Sequence, residues 1–567
     1  MKTDLIQLQV MWSRLLAVVE EQAQTLIRTA FSVSTREGGD VSAGVFDPAG
    51  RMLAQAVTGT PGHINSMAMA VPHFVKRFPL ETVREGDVFF TNDPWQGTGH
   101  LHDFTFVTPA FLNGKVVAFF ACTSHVVDVG GVGFSPEGKT IYHEGLRLPL
   151  MRFAEQGKVN DWLIEIVQNN VRESTQVVGD MYALASCNDN AVKSLTALMT
   201  EYRIAGLDEV RDFIFENTRK AMLDAFSSLP KTSARNSMRT DGFDKPVDLA
   251  CSVTINDESI VVDFDGTSPV SDYGINCPLC YTAAYASFAV KCVVAPKVPN
   301  NSASLDMIIV KAPEGSIVNA PFPCAVAVRS VVGHLVPDVV FGCMHELLPG
   351  RAPAEGAGSL WGLKAGAGHG LTDGASSGQQ TTFMMMSLHS GGMGARSSCD
   401  GLSATPFPSG VKNIPVEVTE AITPLVVWAK ELRQDSGGVG EFRGGLGQTM
   451  VVGSREDAPF AILATFDRVH NAPRGRSGGG DGAKGSLRLA SGKVLKPKGR
   501  QVVPAGDRVI LDMPGGGGFG SPSGRSLDLI ESDLRRNLIS WEAAVEAYSV
   551  DRDDSGKLVR VGSATTR

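Results

Sequence analysis

The segment DFTFVTPAFLNGKVVAFFACTSHVV (103–127) decides the fold class. Two runs rich in Val, Phe and Thr flank Asn113-Gly114, the dipeptide best suited to the positive φ angles of a two-residue hairpin turn, so the segment reads as two antiparallel strands. Its longest apolar stretch, VVAFFAC (116–122), falls far short of the ~20 residues that span a bilayer as a helix, and no membrane span is expected. The register has two readings. A two-residue turn at Asn113-Gly114 sets His125 opposite His102 and Ser124 opposite Asp103, so that Asp103 points away from His125. A turn at Leu112-Asn113 with Gly114 in the left-handed region shifts the pairing by one residue, and Asp103 then shares a face with His125.

Upstream of the hairpin, GDVFFTND (86–93) reads as a strand and 64–78 as a helix, and DVSAGVFDPAGRMLAQAV (40–57) reads as a second hairpin around Asp47-Pro48-Ala49-Gly50. From Asp4 to Arg28 the residues Ile6, Leu8, Met11, Leu15, Val18, Val19 and Leu26 recur at helical spacing and predict one long amphipathic helix. Downstream, helices are expected over 159–171 and 189–226, the second interrupted near Gly206. VDLACSVTINDESIVVDFDGT (247–267) alternates with period two and turns at Asn256-Asp257. A helix-like segment at 281–294 and a run at 325–348 follow. Beyond about 410 the strands VKNIPVEVTE (411–420), FAILATF (460–466), GSLRLA (485–490) and DRVILDM (507–513) are expected, closed by a helix over 527–548. The fold class is α+β: multi-domain, antiparallel sheet-rich, with a long N-terminal helix and glycine-rich loops. The expected division is an N-terminal α+β domain (1–240), a central mixed domain (241–410) and a C-terminal β-rich domain (411–567). No period of 20–50 residues recurs, which argues against a solenoid or propeller.

Composition narrows the function classes. The chain has 567 residues and a formal net charge of −8, which argues against a phosphate-backbone binder and hence against nucleic acid as a partner. Of nine Cys only Cys277 and Cys280 form a CxxC, so reduced thiols in a cytoplasmic protein are expected rather than a structural zinc site. The N-terminus lacks the uninterrupted apolar stretch of a secretory signal. Gly is abundant at 62 residues. Its clusters GGGGFG (515–520) and SGGGDGAKG (477–485) resemble phosphate cradles, but no GxxxxGK[ST] and no GxGxxG opening a helix accompanies them, so they read as tight structural loops. Arg396, Arg433 and Arg443 beside glycines read as loop-fixing groups, and Met384–Met386 as core. No GxSxG elbow anchors serine-hydrolase chemistry.

Six of the eleven His lie between 63 and 143: His63, His73, His100, His102, His125 and His143. His100 and Asp103 are three apart beside a glycine loop, and so are His125 and Asp128 at the far end of the hairpin. Imidazoles with carboxylates are a ligand set for zinc, manganese or iron that leaves positions open for substrate.

In order along the chain, IRTAFSVSTREGGDVSAGVFDPAGRMLAQ (27–55), GDVFFTNDPWQGTGHLHDFTFVTPAF (86–111), SHVVDVGG (124–131), EGLRLPLMRF (144–153), VVDFDGTSPV (261–270), RQDSGGVGEFRGG (433–445) and MPGGGGFGSP (513–522) resemble the hydantoinase B/oxoprolinase family. The resemblance implies an enzyme that opens cyclic amides such as 5-oxoproline, hydantoins and lactams in a hetero-oligomer with a hydantoinase A-type partner. ATP is then bound by the partner and not by this chain, which accounts for the missing nucleotide motif. It also implies a divalent metal ion on Asp40, His100, Asp103 and His125, with Asp128 and His63 in adjoining motifs, and the chemistry of amide opening makes Asp128 or His63 the expected proton acceptor. His102 stands where the family commonly has an apolar residue or proline, and Val126 where many relatives carry a second His. Relatives also carboxylate ketones, so a carboxylase subunit is the rival enzyme reading, and a non-catalytic scaffold for the ATPase partner is the rival of another class.

Overall fold

The computed structural model of the chain describes residues 4–57, 60–358, 360–368, 371–372 and 381–561. It has two compact units, each assembled from separated stretches: 1–238, 248–343 and 408–414 form the first, and 239–247, 344–407 and 415–567 the second. This grouping cuts across the linear three-part division.

The first unit begins with α1 (Leu5–Thr29), whose Met11, Leu15, Val19 and Leu26 are fully buried, as their spacing demands. After the short α2 (Val33–Arg36) come β1 (Val41–Phe46), β2 (Met52–Gln55), α3 (Pro61–Arg77), β3 (Val88–Thr91), β4 (Asp103–Leu112), β5 (Lys115–His125), the one-turn α4 (Ile141–Glu144), β6 (Met151–Glu155), β7 (Lys158–Val159) and α5 (Asp161–Asn170). The seven strands form one sheet in the order β2-β1-β5-β4-β3-β6-β7, antiparallel throughout. Both faces are covered. Phe104, Phe106, Phe120 and Cys122 lie in one core with α1 and α6 (Ser174–Glu201), while Val107, Phe119 and Ala121 lie in another with Ile64, Met67, Val71 and Phe74 of α3. On the side of α1 and α6, the Asn188 amide donates to the Phe106 and Phe120 carbonyls, and the Gln22 amide donates to the Ala121 carbonyl and to Asn188 Oδ1, which ties both helices to the sheet.

The hairpin register combines the two readings of the sequence. Asn113 (φ 51°) and Gly114 (φ 76°) form the two-residue turn and pair Leu112 with Lys115, but between Ala110 and Phe111 the pairing shifts, leaving Val117 as the extra residue. Beyond that bulge Ala110 pairs with Ala118 and Asp103 with His125, so Asp103 and His125 share the face toward α3.

The helix expected over 189–226 is two: α6, beginning at Ser174, and α7 (Asp208–Ser227), with the break bracketing Gly206. Gly179 weakens the helical pattern at the start of α6, yet a β-carbon there would lie 2.6 Å from the Phe31 ring. The expected strand over 411–420 is instead the helix Val416–Ile422 behind Pro415, and the closing helix is two, Leu527–Arg535 and Trp541–Tyr548. The Met384–Met386 run is a strand that buries Met385 and leaves its two neighbours half-buried, as alternation requires.

The second unit holds two four-stranded sheets, one of Phe383–Ser387, Leu363–Ala367, Phe460–Thr465 and Lys498–Val503, the other of Leu425–Leu432, Gln448–Ser454, Arg508–Asp512 and Ser486–Leu489. They share a core in which Trp361 stacks on Phe466 at 4.5 Å. The glycines of this unit are largely not turn residues. Gly515 to Gly518 have no positive φ, and their successive N–H groups go to three different segments: Gly515 and Gly518 to the one holding Ala483 and Gly480, Gly516 to Gly445 and Gly517 to Glu355. Rotation of the donor direction at each residue is the habit of a polyproline-like extended chain, and it surrounds the segment with backbone on all sides. Only a residue without a β-carbon fits such spacing. GGGGFG is thus a closely packed structural segment in which only Gly520 (φ 75°) has the left-handed conformation of a turn.

A β-carbon on Gly516 would lie 2.1 Å from the Met393 carbonyl oxygen, a backbone atom that has no free space to retreat into. Gly516→Ala is therefore expected to cost about 3 kcal/mol. Gly206→Ala, whose nearest contact is an ordinary 3.6 Å, should stay within about 0.5 kcal/mol. Denaturant unfolding followed by circular dichroism measures both.

Candidate metal centre

At one end of the seven-stranded sheet Asp40 precedes β1, His125 ends β5 and Asp103 begins β4, so three strand termini gather titratable side chains. His63 arrives from above. Thr60 caps α3 by accepting the His63 N–H at 3.2 Å, Pro61 opens the helix, and His63 is thereby fixed in the first turn. His100 comes from the TNDPWQGTGH loop. Asn92 anchors that loop by donating to the Leu101 and Leu146 carbonyls and accepting the Leu148 N–H. Gly99 lies at φ 103°, and a β-carbon there would sit 2.7 Å from Arg329 Nε, so both conformation and space require glycine.

Asp103 is the centre of the cluster and is fully buried. Its Oδ1 lies 2.6 Å from His100 Nε2 and 3.4 Å from His125 Nδ1. Its Oδ2 accepts from Arg329 Nη2 at 2.5 Å and Thr98 Oγ1 at 2.7 Å, and lies 3.1 Å from His63 Nε2. His63 Nδ1 is in turn 3.3 Å from Asp40 Oδ1. Arg329 also donates from Nε to the Thr98 carbonyl, and its guanidinium lies 3.9 Å from the centre of the Tyr281 ring. Phe134 closes the cluster, its ring within 6 Å of those of His100, His102 and His125.

Protonation follows from these surroundings. Burial favours a neutral Asp103, but His100, His63 and Arg329 outweigh it and hold the carboxyl well below its ordinary range. Burial first, then the Arg329 charge, push His100 down to about 3. A carbonyl oxygen only accepts, so His100 Nδ1, 2.8 Å from the Ala327 oxygen, carries the ring proton. That leaves the Nε2 lone pair facing an ionised carboxylate oxygen at 2.6 Å, an arrangement that a cation bound by both atoms would relieve. His100, Asp103 and His125 each offer a ligand atom within 4.8 Å of the others, and the donor set of two imidazoles and one carboxylate suits a first-row divalent metal. The residues fit a metal.

Of the residues named from the sequence, His100, Asp103 and His125 meet at one point. His63 joins them through Asp103 Oδ2, and Asp40 stands behind His63 as the most exposed member. His102 stacks parallel to His125 with ring centres 5.3 Å apart. Asp128 is engaged elsewhere: its Oδ1 accepts from Arg172 Nη1 at 2.5 Å and from the Gly130 N–H, and its Oδ2 accepts the Arg172 N–H. In the second unit Arg443 pairs with Asp533 and Arg433 donates to the Lys484 and Met513 carbonyls, so both fix loops. Two contributors escaped sequence reasoning. Arg329 is a lone charge in the apolar run AVAVRSVVG (325–333), a signal that a buried partner exists. Glu144 is fully buried, and its Oε1 accepts the N–H groups of Val326 (2.6 Å) and Ala327 (2.8 Å).

The family model for hydantoinase B/oxoprolinase matches residues 4–522. The chain belongs to this family. It is 28% identical to one of the subunits of a putative D-/L-hydantoinase from a Pseudomonas species, over 98% of this chain and 97% of the relative. Among solved structures it resembles the ATP-dependent caprolactamase of Pseudomonas jessenii (TM-score 0.84, 23% identity, 98% of both chains). It also resembles an acetone carboxylase in its nucleotide-free form (TM-score 0.84, 18% identity, 98% of this chain and 81% of the other). Both likenesses establish the α+β architecture. Among the described residues no helix is long and apolar enough to cross a membrane.

For His63, burial is the largest influence and disfavours the charged ring, but Asp103 and Asp40 together raise its pKa above the ordinary 6.5. A raised folded-state pKa contributes stability that is complete below the unfolded value and is lost as the pH climbs through the folded one. Burial raises Glu144 to about 8, so that group adds a decline of the same sign from its ordinary 4.5 upward. Thermal unfolding of the metal-free protein at stepped pH should show these groups lowering stability from about pH 4.5 upward through Glu144 and further above about 6.5 through His63, and His63→Gln should flatten only the second part.

Proposed function

We propose that this chain is the metal-bearing subunit of an ATP-dependent cyclic-amide hydrolase, acting on a hydantoin, 5-oxoproline or lactam ring activated by an ATP-binding partner. One observation carries the reading: two imidazoles and an ionised carboxylate bring ligand atoms within 4.8 Å of one another in a buried cluster, in a chain of this family whose sequence holds no nucleotide-phosphate motif. The hydantoinase relative is named as one subunit of its enzyme, which supports the division of labour.

An unstrained amide resists attack because its carbonyl is resonance-stabilised and its leaving group is poor. Phosphorylation of the amide oxygen by the partner relieves both, but creates an intermediate that must be kept from bulk water. His100, Asp103 and His125, each at most 5% side-chain exposed, provide a dry site. A divalent metal held by these three would supply a Lewis acid for the activated group and bring the pKa of bound water toward ~7. His63, poised between Asp103 and Asp40, is the group that exchanges a proton with the substrate, and the more exposed Asp40 steadies its charge. Asp128, committed to Arg172, is the weaker candidate for that role. Beside the same helix a cavity of 370 Å³, lined by Thr60, Ile64, Asn65, Phe288 and Asn300 among others, has room for a small ring.

Turnover is expected only when the purified chain, an ATP-binding partner, ATP and a cyclic amide are combined, with metal found by elemental analysis of this chain. His63→Ala should lower kcat by about 10²–10⁴-fold, the usual contribution of a general acid or base. Ring opening by this chain alone without ATP would overturn the proposal, and incorporation of labelled bicarbonate into product would convert it to a carboxylase.

A further inference from the structure

The metal-centre side chains rest on a segment far away in sequence. Ala327 orients His100 through its carbonyl, and Arg329, two residues on, grips Asp103 Oδ2. The 326–329 segment carries both contacts, so its position determines where His100 and Asp103 aim. Glu144 holds it. One carboxyl oxygen accepts the N–H groups of Val326 and Ala327 together, and the peptide group between Ala327 and Val328 then presents its carbonyl to His100. The neighbouring backbone pairs in support, with Thr140 bridging Cys324 and the Ile141 N–H donating to the Pro323 carbonyl. Room for the carboxyl comes from two glycines: a β-carbon on Gly274 would lie 3.1 Å from Glu144 Oε1, and one on Gly138 would lie 3.2 Å from Glu144 Cγ.

We propose that Glu144 is a positioning residue for the metal centre, setting the ring proton of His100 and the grip of Arg329 on Asp103 through the Val326 and Ala327 amides, and thereby setting metal affinity. It touches neither substrate nor metal. What it supplies is an acceptor at a fixed distance, not a charge, and this separates it from a residue that merely fills space. A glutamine offers the same acceptor at the same reach, whereas an aspartate withdraws it by one methylene. Outer partners that orient a ligating histidine typically govern metal affinity by 10–100-fold.

The inference rests on the metal reading of the site, and its test separates the two. Titration of the full-length, metal-free chain with Mn²⁺ or Co²⁺ is followed by calorimetry, and the ring-nitrogen chemical shifts of His100 are read by NMR in the same protein. Glu144→Gln should bind within about threefold of wild type and keep the Nδ1–H form of His100. Glu144→Asp should bind at least about tenfold more weakly and show His100 as a mixture of tautomers. Gly138→Ala, which crowds Glu144 Cγ by a few tenths of an ångström, should weaken binding severalfold and decides the matter if Glu144→Asp does not fold. Wild type that takes up neither ion overturns the metal reading itself. Wild-type binding matched by Glu144→Asp, or by Gly138→Ala when the former does not fold, overturns the role of Glu144, as does a Glu144→Gln variant that loses affinity.

Discussion

A carboxylate with no exposure to water must be met by donors or by charge, and Asp103 Oδ2 is met by Thr98 from its own loop, by His63 from α3 and by Arg329 from a segment more than two hundred residues on, while Oδ1 faces the ring nitrogens of His100 and His125. The desolvation of such a group costs several kcal/mol, so each of these partners is held to its place by the penalty of abandoning it. The capped start of α3, the glycine loop before β4 and the docking of 326–329 are all consequences of that requirement. Phe134 seals the same cluster from the side, which keeps the effective dielectric low and the mutual influence of the groups large.

The second unit solves a similar problem with different means. Asp400 and Asp533 share the guanidinium groups of Arg443 and Arg525, so its buried charges neutralise one another without leaving a donor aimed at a ligand. Glu355 is likewise closed off by Arg468 and Arg474. These ion pairs tie the loops around Asp400, Glu355, Arg443 and Arg474 to one another and to the helix Leu527–Arg535. The contrast between units is chemical: in the first, the central carboxylate meets three histidine rings besides its arginine, and in the second the carboxylates of these networks are met by arginines alone.

Local chemistry was the legible part of the fold. Asn113-Gly114 announces its turn, the period of Met11, Leu15 and Val19 announces α1, and alternation announces the strands around Asn256-Asp257, because each depends on residues adjacent in the chain. The candidate ligands came through the family resemblance, with the clustering of six His between 63 and 143 and the His-x-x-Asp spacing as the local signs. What was not legible depends on distant partners or on competing local signals. Glu144 meets its acceptor role through amides some 180 residues away. The alternating run 411–420 suggests a strand, but Pro415 starts a helix within it. The grouping of 248–343 with the N-terminal stretch is set by packing that no local pattern records.

The bulge at Val117 works as a phase shifter. Side chains on a strand have only two phases, and the turn chemistry at one end of the hairpin would deliver the wrong one to the far end, where Asp103 and His125 meet. A single unpaired residue inverts it. Lengthening or shortening either strand by one residue between Asp103 and His125 would therefore turn the two side chains to opposite faces, and a second such change would bring them back together.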